Sequence, residues 1–363
     1  MVTIQTATLK SVLSKVVKES VINGFVPITE MCKISQKNKD FLAISTTNAT
    51  SVFTMCCAVD EPNDTDFSIV VDIDVLQKLV YKLDCEILKF KCTDESLVII
   101  SDTGKYTIPA RTDSGNKIDM PDIIQSNKKI DHEEIYADMV RDIAKLHRAS
   151  LPTNQKVMPT LFGYYFSKDF NVSTNSISIC LSNIATFSHS ATMFSPETLD
   201  MLSQFDDVIN ADKYENGVWS FYDDIMRFDC AEMVDEISEY PIGAIQNLYK
   251  TNCDGLNYIE VDRTDLINVI DRMNLFVGVY DSGGVDVKIE DGHIEFTTVN
   301  SCANEKMFIS AKTPDTQFRI NVNLLKAQLK SMTNDSISLG IGNNKFIVLK
   351  DDLTTRIVAL QEV

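Results

Sequence analysis

Catalysis needs groups that move protons, hold metals or attack electrophiles, and this chain offers few of them at useful spacing. Its four histidines are His132, His147, His189 and His293, and none stands at ligand spacing from a cysteine or another histidine. No nucleophile elbow, phosphate-binding loop or paired-histidine zinc helix occurs. Asp223-Asp224 has the donors for a divalent cation but reads better as an exposed turn, and Gly340-Ile341-Gly342 reads as a strand turn rather than a phosphate cradle. The expectation is a protein with no catalytic residue, no metal site and no cofactor, and so not an enzyme. The nine cysteines are odd in number and scattered, apart from Cys56 and Cys57. That usage suits reduced thiols in a cytoplasmic compartment.

The chemistry that remains is electrostatic. The 363 residues carry a net charge of −18, which favours solubility and argues against a general nucleic-acid glue, while leaving room for a local basic surface. The N-terminus lacks the continuous apolar stretch of a signal peptide, and no run of about 18 apolar residues reads as a membrane span. Cations gather beside apolar helical stripes: Lys10, Lys15 and Lys18 beside Leu9, Val12, Leu13, Val16 and Val17, and Lys78 and Lys82 beside Leu76, Leu79, Val80 and Leu83.

The elements that carry these cations repeat. Asp72, Ser195 and Asn321 each read as the cap of an amphipathic helix, and they lie 123 and 126 residues apart. A second helix opens each third, aligned on Leu9, Ile135 and Leu266. For the middle third, Asp131 is the expected cap with Glu134 three on, and Ile135, Met139, Ile143 and Leu146 form the stripe. Asp262 caps the last, with Leu266, Val269, Ile270 and Met273 forming the stripe and Arg263 and Arg272 as cations. Short alternating strands with turn signals such as Asp102-Thr103-Gly104 and Asn216-Gly217 fill the remainder. Turns around Asn48, Asn183 and Asn300 mark equivalent points in the three thirds. Polar segments after Arg111 and after Tyr240-Pro241 read as linkers, giving domains 1–123, 124–253 and 254–363.

Each third is then two helices on antiparallel strands, an α+β fold, and strand edges must be paired or covered. Joining the units edge to edge and closing the arc removes the free edges.

On this three-fold helix-and-sheet pattern, on Val70–Leu83 with the strands through Arg111, on Tyr240-Pro241 and on the closing strand Thr355–Val363, nearly the whole chain resembles the bacterial DNA polymerase III beta subunit, the sliding-clamp family of processivity factors. The resemblance implies three repeats of the DNA-clamp fold, a head-to-tail homodimer closed into a ring, and duplex DNA held in the bore without regard to sequence. It implies that Lys10, Lys15, Lys18, Lys78, Lys82, Arg141, Lys145, Arg148, Arg263, Arg272, Lys326 and Lys330 face that DNA. Phosphate contacts of this kind carry no sequence information and weaken with salt. It implies a cleft for short linear peptides of the polymerase and the clamp loader, with Leu161, Leu181, Asn183, Ala185, Thr186, Pro241, Phe346, Ile357, Ala359 and Leu360 at matching positions. It places Leu275 and Phe276 at the dimer contact. The family's Thr-Asp-Gly-His-Arg-Leu turn is matched to Leu181–Thr186, and its Met-Pro-rich tail to Ala359–Val363. Both depart from the pattern, as they would in a divergent, phage-encoded member in bacterial or infected-host cytoplasm. Two other readings fit the residues alone: a processivity factor that is not a dimeric ring, and a β-rich repeat scaffold without a DNA role.

Overall fold

The computed structural model describes every residue except 19–25, 39, 63–65, 114, 124, 185, 188–190, 254, 278–282, 291, 311–314, 343–344 and 363. One path is repeated six times: a strand runs into a helix, and three antiparallel strands follow. The first pass is β1 (Val2–Gln5), α1 (Thr6–Val16), β2 (Met31–Asn38), β3 (Phe41–Thr47) and β4 (Ser51–Ala58). The second is β5 (Phe67–Asp72), α2 (Ile73–Lys82), β6 (Ile87–Cys92), β7 (Ser96–Ile100) and β8 (Lys105–Pro109). A small hairpin, β9 (Thr112–Asp113) and β10 (Asn116–Lys117), leads to the third: β11 (Lys129–Tyr136), α3 (Ala137–His147), β12 (Tyr164–Phe166), β13 (Asn171–Thr174) and β14 (Ser178–Ser182). The fourth is β15 (Thr192–Phe194), α4 (Pro196–Leu202), β16 (Val208–Tyr214), β17 (Val218–Tyr222) and β18 (Met226–Ala231). Two further helices, α5 (Val234–Glu239) and α6 (Ile242–Asn252), precede the fifth: β19 (Tyr258–Asp262), α7 (Arg263–Asn274), β20 (Gly284–Glu290), β21 (His293–Thr298) and β22 (Asn304–Phe308). The sixth is β23 (Thr316–Asn321), α8 (Val322–Ser331), β24 (Ser336–Gly342), β25 (Phe346–Lys350) and β26 (Thr354–Ala359).

The strand-to-helix junctions form because a polar residue with extended backbone can accept from the unpaired N–H groups of the first helical turn. Asp72 accepts from Val75 N–H at 3.0 Å, Asp262 from Asp265 N–H at 2.8 Å, Asn321 from Leu324 N–H at 3.0 Å and Ser195 from Thr198 N–H at 3.2 Å. The expected cap Asp131 is a correction. It lies inside β11, where burial alternates with period two through Glu133, Ile135 and Ala137, and α3 starts only at Ala137. Val140, not Ile135, is therefore the counterpart of Leu9 and Leu266.

Within each pair of passes the first strands change places. β1 joins β6-β7-β8 while β5 joins β2-β3-β4, and the later pairs do the same. Third strands then pair across passes: β4 with β18, setting Phe53 opposite Phe228, and β14 with β26, setting Leu181 opposite Thr355. The result is two eight-stranded and two four-stranded sheets, besides the small hairpin. The chain divides into two compact units, Met1–Asp138 with Asp200–Glu232, and Met139–Leu199 with Met233–Val363. In the first, Phe53 packs edge-on to Phe205 and against Phe228, with ring centres 6.5 and 6.3 Å apart. In the second, Leu266 and Ile270 of α7 and Leu325 and Leu329 of α8 meet Val285, Val287 and Phe318.

The second unit also buries a polar cluster. Arg356 on β26 is fully buried and donates to the Gln328 amide oxygen at 2.9 Å and the Leu146 carbonyl at 2.7 Å. His147 is buried beside it, 3.1 Å from Ser173 Oγ and 2.8 Å from Ser182 Oγ. Burial, and then the Arg356 charge, push the His147 pKa down to about 3. The neutral imidazole is the folded form, because a second positive charge there would lack water.

Three turns share a device. Asn48, Asn175 and Asn300 accept backbone N–H bonds from residues two further on, and the residue after each has left-handed backbone: Ala49 at φ 80°, Ser176 at φ 72° and Ser301 at φ 57°. The middle member of the set is Asn175. The expected Asn183 instead follows the end of β14 and is exposed.

Two tests follow from this packing. Ser176→Gly removes a strained side chain at positive φ and should add about 0.5–1 kcal/mol to stability, after the larger unfolded-state entropy of glycine is set against it, as read by urea unfolding. The unfolded His147 takes a proton near its ordinary pKa of 6.5 while the folded one resists down to about 3. Its contribution is therefore complete above 6.5 and is lost as pH falls through that window. Between pH 6 and 4 the stability gap between wild type and His147→Gln should narrow by about 1.4 kcal/mol per pH unit.

Candidate nucleic-acid and partner interfaces

The six repeated helices bury the same positions. Counting from the first helical residue, position 1 is Thr6, Ile73, Ala137, Pro196 and Val322, position 4 is Leu9, Leu76, Val140, Leu199, Leu266 and Leu325, and position 8 is Leu13, Val80, Ala144, Ile270 and Leu329. One stripe faces the sheets, so positions 5, 9 and 10 fall outside it. Lys10, Arg141 and Lys326 occupy position 5, Lys145 and Lys330 position 9, and Lys15, Lys82 and Arg272 position 10.

Many of the candidate cations are engaged locally. Lys10 donates to the Leu83 carbonyl at 3.1 Å, and Lys15 to the Gln204 carbonyl at 2.9 Å while pairing with Asp206. Lys18 bonds the Gln204 side chain. Lys78 pairs with Asp74 and Lys326 with Asp271. Arg272 forks onto Glu305. Arg263 is half-buried and closes the end of α8 by donating to the Leu329 carbonyl at 3.5 Å, while also donating to the Asn334 carbonyl beyond that helix at 2.6 Å. Lys82, Lys145 and Lys330 are exposed, and none of the described hydrogen bonds or ion pairs engages them. Arg141 and Arg148 are also exposed. α4 carries no cation and exposes Glu197 and Asp200. A lysine in a last turn also complements the carbonyl end of its own helix.

The expected peptide cleft is divided. Leu181, Phe346 and Ile357 are buried, and Leu161 is packed, in an apolar layer closed by Tyr240 and by Ile242, Ile245, Leu248 and Tyr249 of α6. Tyr240 stacks on Tyr165 at 5.1 Å. Pro241 and Asn183 are exposed, and Thr186, Ala359 and Leu360 are half-buried, with Leu360 against a different cluster. Ala185 lies outside the described residues. Thr174-Asn175-Ser176-Ile177-Ser178-Ile179 joins β13 to β14 and is left-handed at Ser176, whereas Leu181 and Ser182 are the last residues of β14. Within the Thr174–Ile179 segment Ile177 is exposed and Ile179 packs against the covered layer.

Leu275 and Phe276, at the end of α7, are 80% and 49% exposed, and Asn300 donates to the Phe276 carbonyl at 2.9 Å. Sequence reading missed Phe308, which is 85% exposed on β22. Its alternation with buried Met307 was available as a signal. Two third strands end their sheets, β8 and β22. The inner pairings fix how such strands match. Thr47, Thr174 and Thr298 donate to the carbonyls of Ser51, Ser178 and Ala303, which makes those three residues equivalent. Likewise Asp223, Asp351 and Ser101 donate N–H bonds to the carbonyls of Met226, Thr354 and Gly104. Met226 and Thr354, the first residues of β18 and β26, pair with Met55 and Ser182, which lie four residues past Ser51 and Ser178. A β22 that met the β8 of a second copy by the same rule would set Met307 against Gly104, Ala303 against Ile108, Asn304 against Thr107 and Lys306 against Lys105, with Glu295 lying 3.6 Å from the Lys306 ammonium of its own chain.

The residues considered for catalysis serve structure. Asp223 Oδ1 accepts the N–H groups of Ile225 and Met226 within its turn. Gly340 and Gly342 lie in β24 beneath the rings of Tyr258 and Phe346, where a Cβ would collide. His132 contacts Asp212 at 2.6 Å, and His189 lies outside the described residues. No group of three or more metal-ligating side chains exists among the described residues, and no described helix is long and apolar enough to cross a membrane.

No protein-family model and no curated protein matches the sequence. Solved structures do match. The DNA polymerase III beta subunit of Thermotoga maritima aligns over 100% of this chain and 99% of its own, with TM-score 0.83 at 16% identity. The beta subunit from the DNA polymerase of Streptococcus pyogenes aligns over the whole of both chains, with TM-score 0.85 at 13% identity. The DNA polymerase sliding clamp of Bacillus subtilis aligns over 100% and 99%, with TM-score 0.81 at 14% identity. The chain therefore has the fold of the bacterial sliding clamps, built as mixed helix and antiparallel sheet throughout its length.

Proposed function

We propose that the protein is a DNA sliding clamp, a non-catalytic processivity factor that encircles duplex DNA and tethers a replicative polymerase. The observation that carries this reading is the pair of open third strands. Odd passes offer β4, β14 and β22, even passes offer β18, β26 and β8, and among the described residues only β22 and β8 lack an internal mate. An open edge is a template for another strand. Pairing β22 of one copy with β8 of a second, and the reverse, gives two identical head-to-tail contacts and no third strand left open. The exposed Leu275, Phe276 and Phe308 supply an apolar patch for that contact, and Tyr106 of β8 would face Glu305.

On this reading each pair of passes is one domain, 1–123, 124–253 and 254–363, and two chains bring twelve similar helices to the bore. The clamp neighbours and the position-5, -9 and -10 cations support a DNA-facing role for those helices, led by Lys82, Lys145 and Lys330. Lysines already paired to Asp74, Asp206 or Asp271 hold DNA weakly, which suits a ring retained by topology. Polymerase and clamp loader would dock through short peptides, and the protein would work in bacterial cytoplasm or in a host cell infected by the virus that encodes it.

In sedimentation analysis the wild type should be a dimer. Leu275→Asp with Phe308→Asp should weaken dimerisation by about 100-fold, because two desolvated apolar anchors are replaced by charge. A wild-type monomer at tens of micromolar (a range typical of weak association) would sink the ring. Lys82→Glu, Lys145→Glu and Lys330→Glu together should lower affinity for linear duplex at low salt. They should also flatten the log affinity versus log salt line by about 0.9 for each phosphate no longer neutralised. An unchanged slope would remove these lysines from the bore.

A further inference from the structure

The apolar layer that the peptide cleft was expected to use is already occupied by the chain itself. Ile245 and Tyr240 are buried in one apolar cluster with Phe346, Ile357 and Leu181, and Leu181 is the most exposed of these at 9%. An open cavity of about 430 Å³ lies instead at the far end of α6, within the second compact unit. Its floor is apolar, from Phe170 and Leu181, and its wall is the Tyr249 ring. The turn after β25 and the turn before β13 close it with Asp351, Asp352, Leu353 and Asp169.

Its charge is one-sided. Three carboxylates and one ammonium, Lys250, line the cavity. Asp351 is committed to its own turn, accepting from the N–H groups of Thr333, Leu353 and Thr354. Asp352 and Asp169 are exposed at the rim, and Asp352 spends one oxygen on the Asn334 amide at 2.7 Å. The volume falls in the range of small-ligand pockets, and a mostly polar lining surrounds the small apolar floor. An apolar side chain fits the floor, and a cation beside it meets Asp169 or Asp352.

We propose that this cavity is the anchor point for partner proteins, and that it takes a short segment with an apolar residue flanked by Lys or Arg. The inference rests on the reading that the chain recruits partners through short peptides, and it names their chemistry. The partner's charge is set by Asp169 and Asp352, and its anchor by Leu181 and Phe170. The occupant is a segment of another protein, because α6 already fills the neighbouring layer and its Lys250 is the only cation the cavity receives among the described lining residues.

The test pans a displayed random heptapeptide library on the full-length protein without DNA. Selected sequences should place Lys or Arg within two positions of Leu, Ile or Phe. A selected peptide, made with a fluorescein label, should bind the wild type by anisotropy. It should weaken about tenfold on Asp169→Lys with Asp352→Lys, and on Asn183→Trp, which fills the mouth, because the first removes charge pairing and the second the apolar seat. Asp235→Lys with Glu239→Lys on α5 makes the same change of net charge elsewhere and should leave binding intact. Thermal unfolding should be unchanged in all three variants. Selected sequences without basic residues, no selected sequence at all, or equal weakening in the α5 control would overturn the proposal. The assay contains no DNA, so a failure of the ring leaves it standing, and its own failure leaves the ring untouched.

Discussion

The backbone of an edge strand carries N–H and C=O groups that need partners, and much of this architecture follows from how they find them. A strand pairs on two sides, and each third strand here has one side filled by its own hairpin. β4 finds β18 and β14 finds β26, which welds separate passes into eight-stranded sheets. The exchange of first strands works the same way, binding neighbouring passes so that neither is complete alone. The compact units follow these pairings and so include residues distant in sequence. The two third strands left over lie in the second and fifth passes, and their availability turns a folded monomer into half of a proposed ring.

Much of the fold was legible because its strongest signals are local. Asp72, Ser195, Asp262 and Asn321 are read as caps from residue type and spacing, and each accepts the expected N–H bond. The failures are also local. Asp131 and Glu134 mimic a capping box, but β11 claims them because Glu133 and Ile135 alternate onto one buried face. Asn183 resembles the turn residue of its sister thirds. Only the hydrogen bonds of Asn175 and the positive φ of Ser176 separate the true equivalent from it, although the shared spelling Thr-Asn-x-x-Ser at Thr47 and Thr174 carried the signal.

The interfaces were less legible, since exposure and partnership depend on tertiary neighbours. Lys78 and Lys82 look alike on a helical wheel, yet one is tied to Asp74. Arg263 looks like a surface cation and bonds the Leu329 carbonyl at the end of α8 instead. The apolar residues assigned to a peptide cleft could equally be core, and α6 makes several of them so. Phe308 escaped notice because a single exposed phenylalanine in a strand has no sequence mark until its neighbours are known.

A clamp holds DNA by topology, so the most direct measurement traps the closed ring. Thr107→Cys with Asn304→Cys, in a Cys302→Ser background, places thiols on residues that the inferred register sets opposite each other, within the distance a disulfide spans. The variant is mixed with nicked circular DNA, oxidised, and washed in salt high enough to break phosphate contacts. The clamp reading predicts covalently closed dimers that stay with the circle and leave when one restriction cut linearises it. Dimers that wash off the intact circle, or that remain equally on cut and uncut DNA, would contradict it.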